Sequence, residues 1–209
     1  MARWEDIVLE SKKVMGEAVL LPIKPEYCHL IAKGRKTLEL RTRIPKQKPP
    51  YKCYIYCTSS DVHKCLMQNE NGIDLIRCIN YKTAITCGGY VANGKVIGEY
   101  ICDHILRHCE SSNADIAEQQ GCIKRDWIFE YSKGEEVKGM HISDLKIYDK
   151  PKELGEFYRK CSTNCYDCEL WGVTIESAIK YDTECKSDWA YHKPLTRPPQ
   201  SWCYVEELK

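Results

Sequence analysis

The residues that could most readily take part in binding or catalysis lie in the segment GRKTLELR, residues 34–41. It places Lys36, Glu39 and Arg41 within six positions, interleaved with two leucines. Side chains alternate between the two faces of a strand, so we expect the leucines to point into the barrel core. Glu39 and Arg41 would then share the opposite face, with positions two apart separated by roughly 7 Å. An ionised carboxylate beside two cations would orient them. The result would be either a structural salt bridge on the strand or the base of a binding site for an anionic ligand.

The chain around this motif is strongly basic, although the 209-residue protein carries a net charge of only +1. Between residues 33 and 52 there are eight cations and one acid, Glu39, which together give this stretch a charge of +7. The cations are Lys33, Arg35, Lys36, Arg41, Arg43, Lys46, Lys48 and Lys52. Such a run is either a solvated loop and edge strand or a contact surface for phosphate groups.

The trio can serve two kinds of function. In a binding site, Lys36 and Arg41 would contact phosphate, while Glu39 would accept a hydrogen bond from a base amine or a ribose hydroxyl. In a catalytic site, Lys36 would have to lose its proton to act as base or nucleophile; Arg35 and Arg41 favour that loss by repulsion, and Glu39 opposes it. The opposition favours binding. Tyrosines in nearby strands would either stack on bases or pack in the core: Tyr51, Tyr54, Tyr56 and Tyr100.

A second group of reactive residues lies near the C-terminus, in the segment CSTNCYDC. It contains Cys161, Cys165 and Cys168, and Cys185 follows farther along. Four thiolates at close spacing match a tetrahedral structural zinc site, and a metal would help a segment poor in apolar residues to fold. The alternatives are free or oxidisable thiols, or a site in which His192 replaces one thiolate. The four cysteines are therefore candidate ligands of a structural zinc ion, and we expect no organic cofactor.

The composition is that of a soluble globular protein, with 43% apolar and 29% charged residues. The apolar run AVLLPI is too short to cross a bilayer, and the first residues do not resemble a secretory signal. We therefore expect a cytoplasmic protein with no membrane partner. Most of the fourteen cysteines are expected to be reduced and to pack as small apolar side chains.

Hydrophobic periodicity predicts strands separated by short helices. Residues 18–23 have the pattern of a buried strand, Pro25 suits the start of a helix, and Gly34 is placed to end that helix in a left-handed cap. The period then changes to that of a strand, and YKCYIYCT at 51–58 predicts another. Next come an inserted helix and turn within 61–87, and a hairpin at Asn93-Gly94 that leads into a strand from Lys95 to about Ile105. Two short helices follow, one capped by Ser112 and one containing Trp127, Phe129 and Tyr131. The last predicted elements are a strand at 141–149, a helix opened by Pro151, and a terminal strand bearing Trp202 and Tyr204.

These elements show no βαβ alternation and favour an α+β protein: a small mixed β-barrel with short peripheral helices. We expect an N-terminal arm at residues 1–17 and the barrel at 18–158. A cysteine-rich insert would occupy 159–193, and residues 194–209 would return a terminal strand to the barrel.

The motif Gly34-x-Lys36-x-x-Glu39-x-Arg41 resembles the signature of the ASCH domain, a branch of the PUA-like superfamily of small β-barrels. It follows a predicted short helix and opens a strand, as it does in that family. The longer segment LPIKPEYCHLIAKGRKTLELRTRIP, the later GKVIGEYICDHI and the closing PPQSWCYVEEL are also similar to ASCH proteins of the bacterial or phage type. The resemblance covers most of residues 18–158 and resumes at about residue 196.

The resemblance implies binding of RNA or a modified nucleotide, in RNA metabolism or translation regulation. The implied site is a basic cleft built on Lys36, Glu39, Arg41 and Arg43, with Arg35 beside it. The alternative is a hydrolase of the same fold. In relatives that deacetylate acetylcytidine, a lysine matches Lys36, a threonine stands where this chain has Glu39, and Glu118 is only a loose counterpart of the third catalytic residue.

Two further alternatives remain. A ribonuclease activity is associated with an ASCH relative, and only Lys36 matches its residues. The third class of function is a zinc-stabilised module that docks a protein partner through its basic face. Salt-dependent RNA affinity, turnover of small nucleosides, or neither would distinguish the three classes.

Overall fold

The computed structural model describes residues 17–59, 92–159 and 194–208, together with the backbone of two strands at 64–69 and 72–77. Residues 1–16 of the predicted arm lie outside these ranges. So do the four candidate zinc ligands, Cys161, Cys165, Cys168 and Cys185. No helix in the described residues is long and apolar enough to span a membrane.

The described residues form strands and three short α-helices in the following order along the chain. The elements are β1 (Glu17–Ile23), α1 (Pro25–Ala32), β2 (Leu38–Arg41), β3 (Tyr51–Cys57), β4 (Lys64–Asn69), β5 (Gly72–Arg77), β6 (Lys95–Cys102), β7 (Ile105–Leu106), α2 (Ala114–Gly121), α3 (Arg125–Ser132), β8 (Lys138–His141), β9 (Ser143–Glu153) and β10 (Cys203–Glu206), with a turn of 3-10 helix at Leu154–Glu156.

The main sheet has five strands in the order β10-β1-β3-β6-β9. Its β1–β3 pair is parallel, and the neighbouring pairs are antiparallel. A second, antiparallel sheet has the order β2-β8-β7, and β4 pairs with β5 as a hairpin. This is the α+β class that the sequence predicted. The sheets formed by the described strands are open, so the closed barrel stays a prediction.

Local signals in the sequence place several of these elements correctly. Pro25 is the first residue of α1, where its missing N–H costs nothing. Gly34 follows the helix with φ +66°, and Gly94 has φ +81° in the turn before β6. Both are left-handed conformations that glycine adopts without a steric penalty.

Three local predictions are wrong. Within 61–87, the described residues form the β4–β5 hairpin rather than a helix, because a short apolar run suits either state until a partner strand is available. Pro151 does not open a helix; β9 continues through it, which is tolerated on the edge strand of the main sheet. Helix α2 begins after Asn113 rather than after Ser112, and Asn113 makes no side-chain capping bond.

The core has three parts. The largest packs α1 against one face of the main sheet and includes Val19, Ile31, Ile55 and Tyr100. A second covers the other face of that sheet, with Leu20, Tyr54, Phe157 and Val205 among its members. The central strands β1 and β3 are therefore buried on both faces, which explains their nearly continuous apolar sequences. The third part lies beneath α2 and α3 and contains the two leucines of β2.

Candidate functional site: a buried ion-pair network on β2

Strand β2 lies between two layers of the protein, so both of its faces are covered. Leu38 and Leu40 pack with Ala117 and Ile128 in the core beneath α2 and α3. Glu39 lies opposite Met140 of β8, a member of the main core. The alternation of β2 is as predicted, but its direction is wrong. The leucines face the helices, and the charged residues face the main sheet.

The ammonium group of Lys36 is enclosed by protein acceptors. Its side chain is 1% exposed. Nζ donates to the carbonyl oxygens of Leu38 at 2.8 Å and Gly121 at 2.9 Å, and it lies 3.4 Å from Glu39 Oε2. An ammonium group has three N–H donors. Each can therefore be assigned to one of these three acceptors.

The carboxylate of Glu39 joins Lys36 to Arg41. Arg41 Nε donates to Glu39 Oε1 at 3.0 Å, and Nη2 lies 3.0 Å from the same oxygen. The guanidinium also donates to the carbonyl oxygens of Pro22 at 2.6 Å and Ser201 at 3.2 Å. Arg41 thus connects β2 to β1 and to the segment preceding β10. Arginine suits this role because its planar group offers five donors in a fixed geometry.

The negative charge of Glu39 contributes to raised pKa values of tyrosine hydroxyls in and beside the main core. Burial raises the pKa of the Tyr100 hydroxyl well above its usual range, and the nearby Cys53 and Glu39 add to the shift. Burial likewise raises the pKa of Tyr27, with further contributions from Glu26 and Glu39. Lys36 Nζ lies 5.2 Å from the centre of the Tyr27 ring, within cation–π distance. The network therefore lies at the junction of α1, β2 and the main sheet.

This geometry changes the interpretation of the GRKTLELR motif. The sequence left open a salt-bridged strand or the floor of a site for an anion, and the burial of Lys36 and Glu39 corresponds to the salt-bridged strand. A carboxylate and two carbonyl oxygens engage the ammonium group of Lys36, which leaves none of its three donors for a bound substrate. In this conformation the trio is arranged to hold three parts of the fold together.

The other predicted site residues lie apart from the trio's buried contacts. Arg35 and Arg43 are exposed on either side of it along the chain. Glu118 is exposed on α2, where its Oε1 accepts a hydrogen bond from the backbone N–H of Arg125 at 3.3 Å. Its carboxylate is therefore used at the start of α3, not at Lys36. The structure does not bring the hydrolase-like set of Lys36, Glu39 and Glu118 together.

The four strand tyrosines do not form a stacking surface. Tyr51, Tyr54, Tyr56 and Tyr100 are all buried, and they belong to the cores on the two faces of the main sheet. Their aromatic alternation reflects packing, which was the plainer of the two interpretations of the sequence.

Among the residues that the structure describes, the large aromatic side chains with high exposure are on α3. Trp127 is 54% exposed and Phe129 is 70% exposed, and Tyr131 is exposed as well. Ile128, about 100° around the helix from Trp127, packs in the core. Lys24, which precedes α1, holds its ammonium 5.8 Å from the centre of the Trp127 ring. The sequence predicted this helix but gave no reason to expect its aromatic residues at the surface.

A further polar cluster joins residues that are distant in the sequence. Asp103 Oδ1 accepts hydrogen bonds from His141 Nδ1 at 2.7 Å and His104 Nδ1 at 2.9 Å. The antiparallel pairing of β7 with β8 brings the two histidines together. The only sequence signal was the pair Asp103-His104 at the end of a predicted strand. Its partner could not be found without the strand register.

The fold is similar to crystal structures of an ASCH protein from Zymomonas mobilis. That protein gives a TM-score of 0.51 at 15% identity, with 91% of this chain and 88% of that chain covered. A tyrosine-to-phenylalanine variant of it gives 0.51 at 15% identity, covering 91% of each chain. A serine-to-alanine variant gives 0.52 at 14% identity, covering 92% of this chain and 91% of that chain. No protein-family model and no curated protein matches the sequence. The chain therefore has the ASCH fold, as the motif on β2 predicted.

Proposed function

We propose that this protein binds single-stranded RNA or a modified nucleotide on the surface where α1 meets α3. The observation that carries the proposal is Trp127, a large aromatic side chain that is 54% exposed and has the Lys24 ammonium near its ring. Stacking of an unpaired base on an exposed aromatic side chain is the common means of binding single-stranded nucleic acid. A cation beside that ring would contact the adjoining phosphate.

The helix presents this surface in a fixed orientation. Trp127 and Tyr131 are four residues apart on α3 and lie on the same side of it. Ile128, 1% exposed, holds the helix against the core. Two exposed rings on one anchored helix would offer successive stacking positions. Phe129 points away from this side, because two residues along a helix correspond to a rotation of about 200°.

Exposed cations lie on the segments next to this surface, and one of them, Arg125, pairs with Asp115. Lys124 and Arg125 lie at the start of α3, and Arg35 is exposed in the loop after α1. That loop adjoins the end of α2, since the Cys122 thiol donates to the Arg35 carbonyl oxygen at 3.3 Å. The basic segment predicted as a phosphate-binding surface thus runs close to the aromatic helix. The combination of rings and cations favours nucleic acid over an acidic peptide.

In this proposal the buried network supports the surface and does not itself contact phosphate. Lys24 and Tyr27 stand one turn apart at the start of α1, linked by the Tyr27 N–H to Lys24 carbonyl bond of 3.0 Å. Lys36 packs beneath Tyr27, and Arg41 holds β2 to β1. Substituting the trio would therefore weaken binding through loss of structure, whereas substituting Trp127 or Arg35 would weaken it directly.

Fluorescence anisotropy with a labelled single-stranded RNA tests the proposal. Loss of one stacked base costs about 1–3 kcal/mol, so we expect Trp127→Ala to weaken binding at least about fivefold. Phe129→Ala is the matched control, since it removes a more exposed ring from another side of the same helix. Arg35→Ala should lower the slope of log Kd against log salt by about one.

Equal affinities for the wild type and Trp127→Ala would contradict the proposal. The hydrolase alternative would be supported by turnover of an acetylated cytidine nucleoside with little dependence on salt. The docking alternative predicts neither turnover nor RNA binding. The hydrolase has less geometric support, because the donors of Lys36 are engaged and Glu118 lies elsewhere.

A further inference from the structure

Asp103, His104 and His141 form a compact group of three potential metal ligands. One carboxylate oxygen of Asp103 accepts from the Nδ1–H of both histidines, at 2.7 and 2.9 Å. The two imidazole rings stack, with centroids 4.3 Å apart and planes inclined by 24°. A ligand atom from each of the three residues lies within 4.8 Å of the other two.

The backbone holds this group in place through strand pairing and local hydrogen bonds. Asp103 and His104 occupy the connection between β6 and β7, and His141 is the last residue of β8. The backbone N–H of His141 donates to the His104 carbonyl oxygen at 3.1 Å, and the Cys102 thiol donates to the same oxygen at 3.5 Å. Two of the ligands therefore lie in a two-residue connection between strands and the third ends a paired strand, so the pairing of β7 with β8 fixes their relative positions.

We propose that Asp103, His104 and His141 together bind a divalent first-row transition-metal ion of the zinc class. Two imidazole nitrogens and one carboxylate oxygen are a recurrent donor set for such ions, and they leave a position open to water. Magnesium and calcium prefer all-oxygen ligands and are not suited to this group. This ligand set shares no residue with the four cysteines, whose thiolates would form a closed structural centre.

To admit the ion, the carboxylate oxygen and the two ring nitrogens must move apart. With metal–ligand bonds of about 2.0–2.1 Å and tetrahedral angles, neighbouring ligand atoms would be about 3.3 Å apart. The present distances of 2.7 and 2.9 Å from Oδ1 to the two nitrogens would lengthen by about half an ångström. Each Nδ1 must release its proton, and the neutral ring keeps one proton by carrying it on Nε2.

The access that an ion needs is also present. The side chains of Asp103 and His104 are 41% and 60% exposed, and that of His141 is 28% exposed. Arg107, the arginine nearest to Asp103 in the sequence, pairs with Glu136 and not with Asp103. The carboxylate is therefore shared by the two imidazoles in the described structure, and both of those hydrogen bonds would be replaced by metal–ligand bonds.

Zinc titration of the full chain, followed by NMR of the histidine ring nitrogens, tests this site directly. The chain has six histidines, so single substitutions can assign every ring. We expect the Nδ1 signals of His104 and His141 to shift together and to saturate at one ion for the pair. His108 is the internal control. It is exposed and lies near the acids Glu110 and Glu136, at 3.8 and 3.9 Å, but outside the group.

Asp103→Asn removes the charged ligand while preserving the shape of the side chain, and it should raise the Kd for zinc at this site by at least about tenfold. His108→Ala should leave that Kd unchanged. The proposal is overturned if His104 and His141 do not shift while zinc binds elsewhere on the chain. It is equally overturned if His108 shifts in parallel with them, or if Asp103→Asn binds as tightly as the wild type.

Discussion

Replacing Lys36 by methionine should destabilise the protein by about 3 kcal/mol. Methionine keeps most of the side-chain volume, so the loss comes from the ammonium group and not from a cavity. That group is buried and donates to the carbonyl oxygens of Leu38 and Gly121 beside the Glu39 carboxylate. The same substitution on an exposed strand face would cost no more than ~1 kcal/mol.

The magnitude follows from the partners that remain. Removing one member of a buried ion pair costs about 3–5 kcal/mol, because the other charge is left without compensation. Here Arg41 stays on Glu39 with two nitrogens at 3.0 Å, which places the loss at the lower end. The two carbonyl oxygens lose their donor at a cost of about 1 kcal/mol or more each, offset in part by no longer burying the ammonium. For a chain of this length, about 3 kcal/mol lowers Tm by roughly 6–12 °C.

Urea unfolding followed by circular dichroism measures the free energy of unfolding of Lys36→Met, Glu39→Gln and the double variant. The cycle should give a coupling of about 1 kcal/mol or more, since the two groups are in contact. Arg35→Met is the control, an adjacent cation that is exposed. It should change stability by less than ~0.5 kcal/mol. A Lys36→Met variant as stable as Arg35→Met would refute the buried-network argument.

Three other results are expected. Gly98→Ala should destabilise the protein by about 1–3 kcal/mol in urea unfolding, because its Cβ would collide with the backbone of β9, whereas Gly155→Ala has open space and should be nearly neutral. Although burial acts to raise the pKa of Glu110, hydrogen bonding, led by the Val137 N–H, lowers it overall. The stabilising contribution of ionised Glu110 is therefore fully present above the pKa of about 4.3 that glutamate has in the unfolded chain. It is lost as the pH falls through the lower pKa of Glu110 in the folded protein, so Glu110→Gln should make the free energy of unfolding less dependent on pH in acid. Cys165→Ser should remove one zinc per chain by metal analysis, and a wild type without that zinc under reducing conditions would contradict the thiolate site.

The local elements with strong physical signals could be predicted from the amino-acid sequence alone. Pro25 can begin a helix but cannot continue one, and Gly34 adopts the left-handed conformation that ends it, so the position of α1 could be predicted. The strict alternation of β2 and the aromatic pattern of β3 likewise predicted strands. The motif on β2 also predicted the ASCH fold, which the solved structures support.

Only the tertiary structure decided what the faces of those elements contact. Alternation shows that Leu38 and Glu39 point in opposite directions, but not which layer covers each side. The helices cover the leucines, and the main sheet covers the charges, so Lys36 and Glu39 are buried and Arg41 is largely covered, rather than lining an open cleft. The pairing of β7 with β8, which brings His104 to His141, depends on register and could not be predicted from two distant segments.

The same physical reason explains the surface of α3. Helical periodicity indicates that Trp127 and Ile128 lie on different sides of the helix, but both are apolar enough to be buried. The position of α3 beside α2 leaves room in the core for Ile128 and leaves Trp127 in solvent next to Lys24. Local conformation follows from the backbone preferences of nearby residues, whereas burial follows from which elements meet in space, and that is decided by the whole chain.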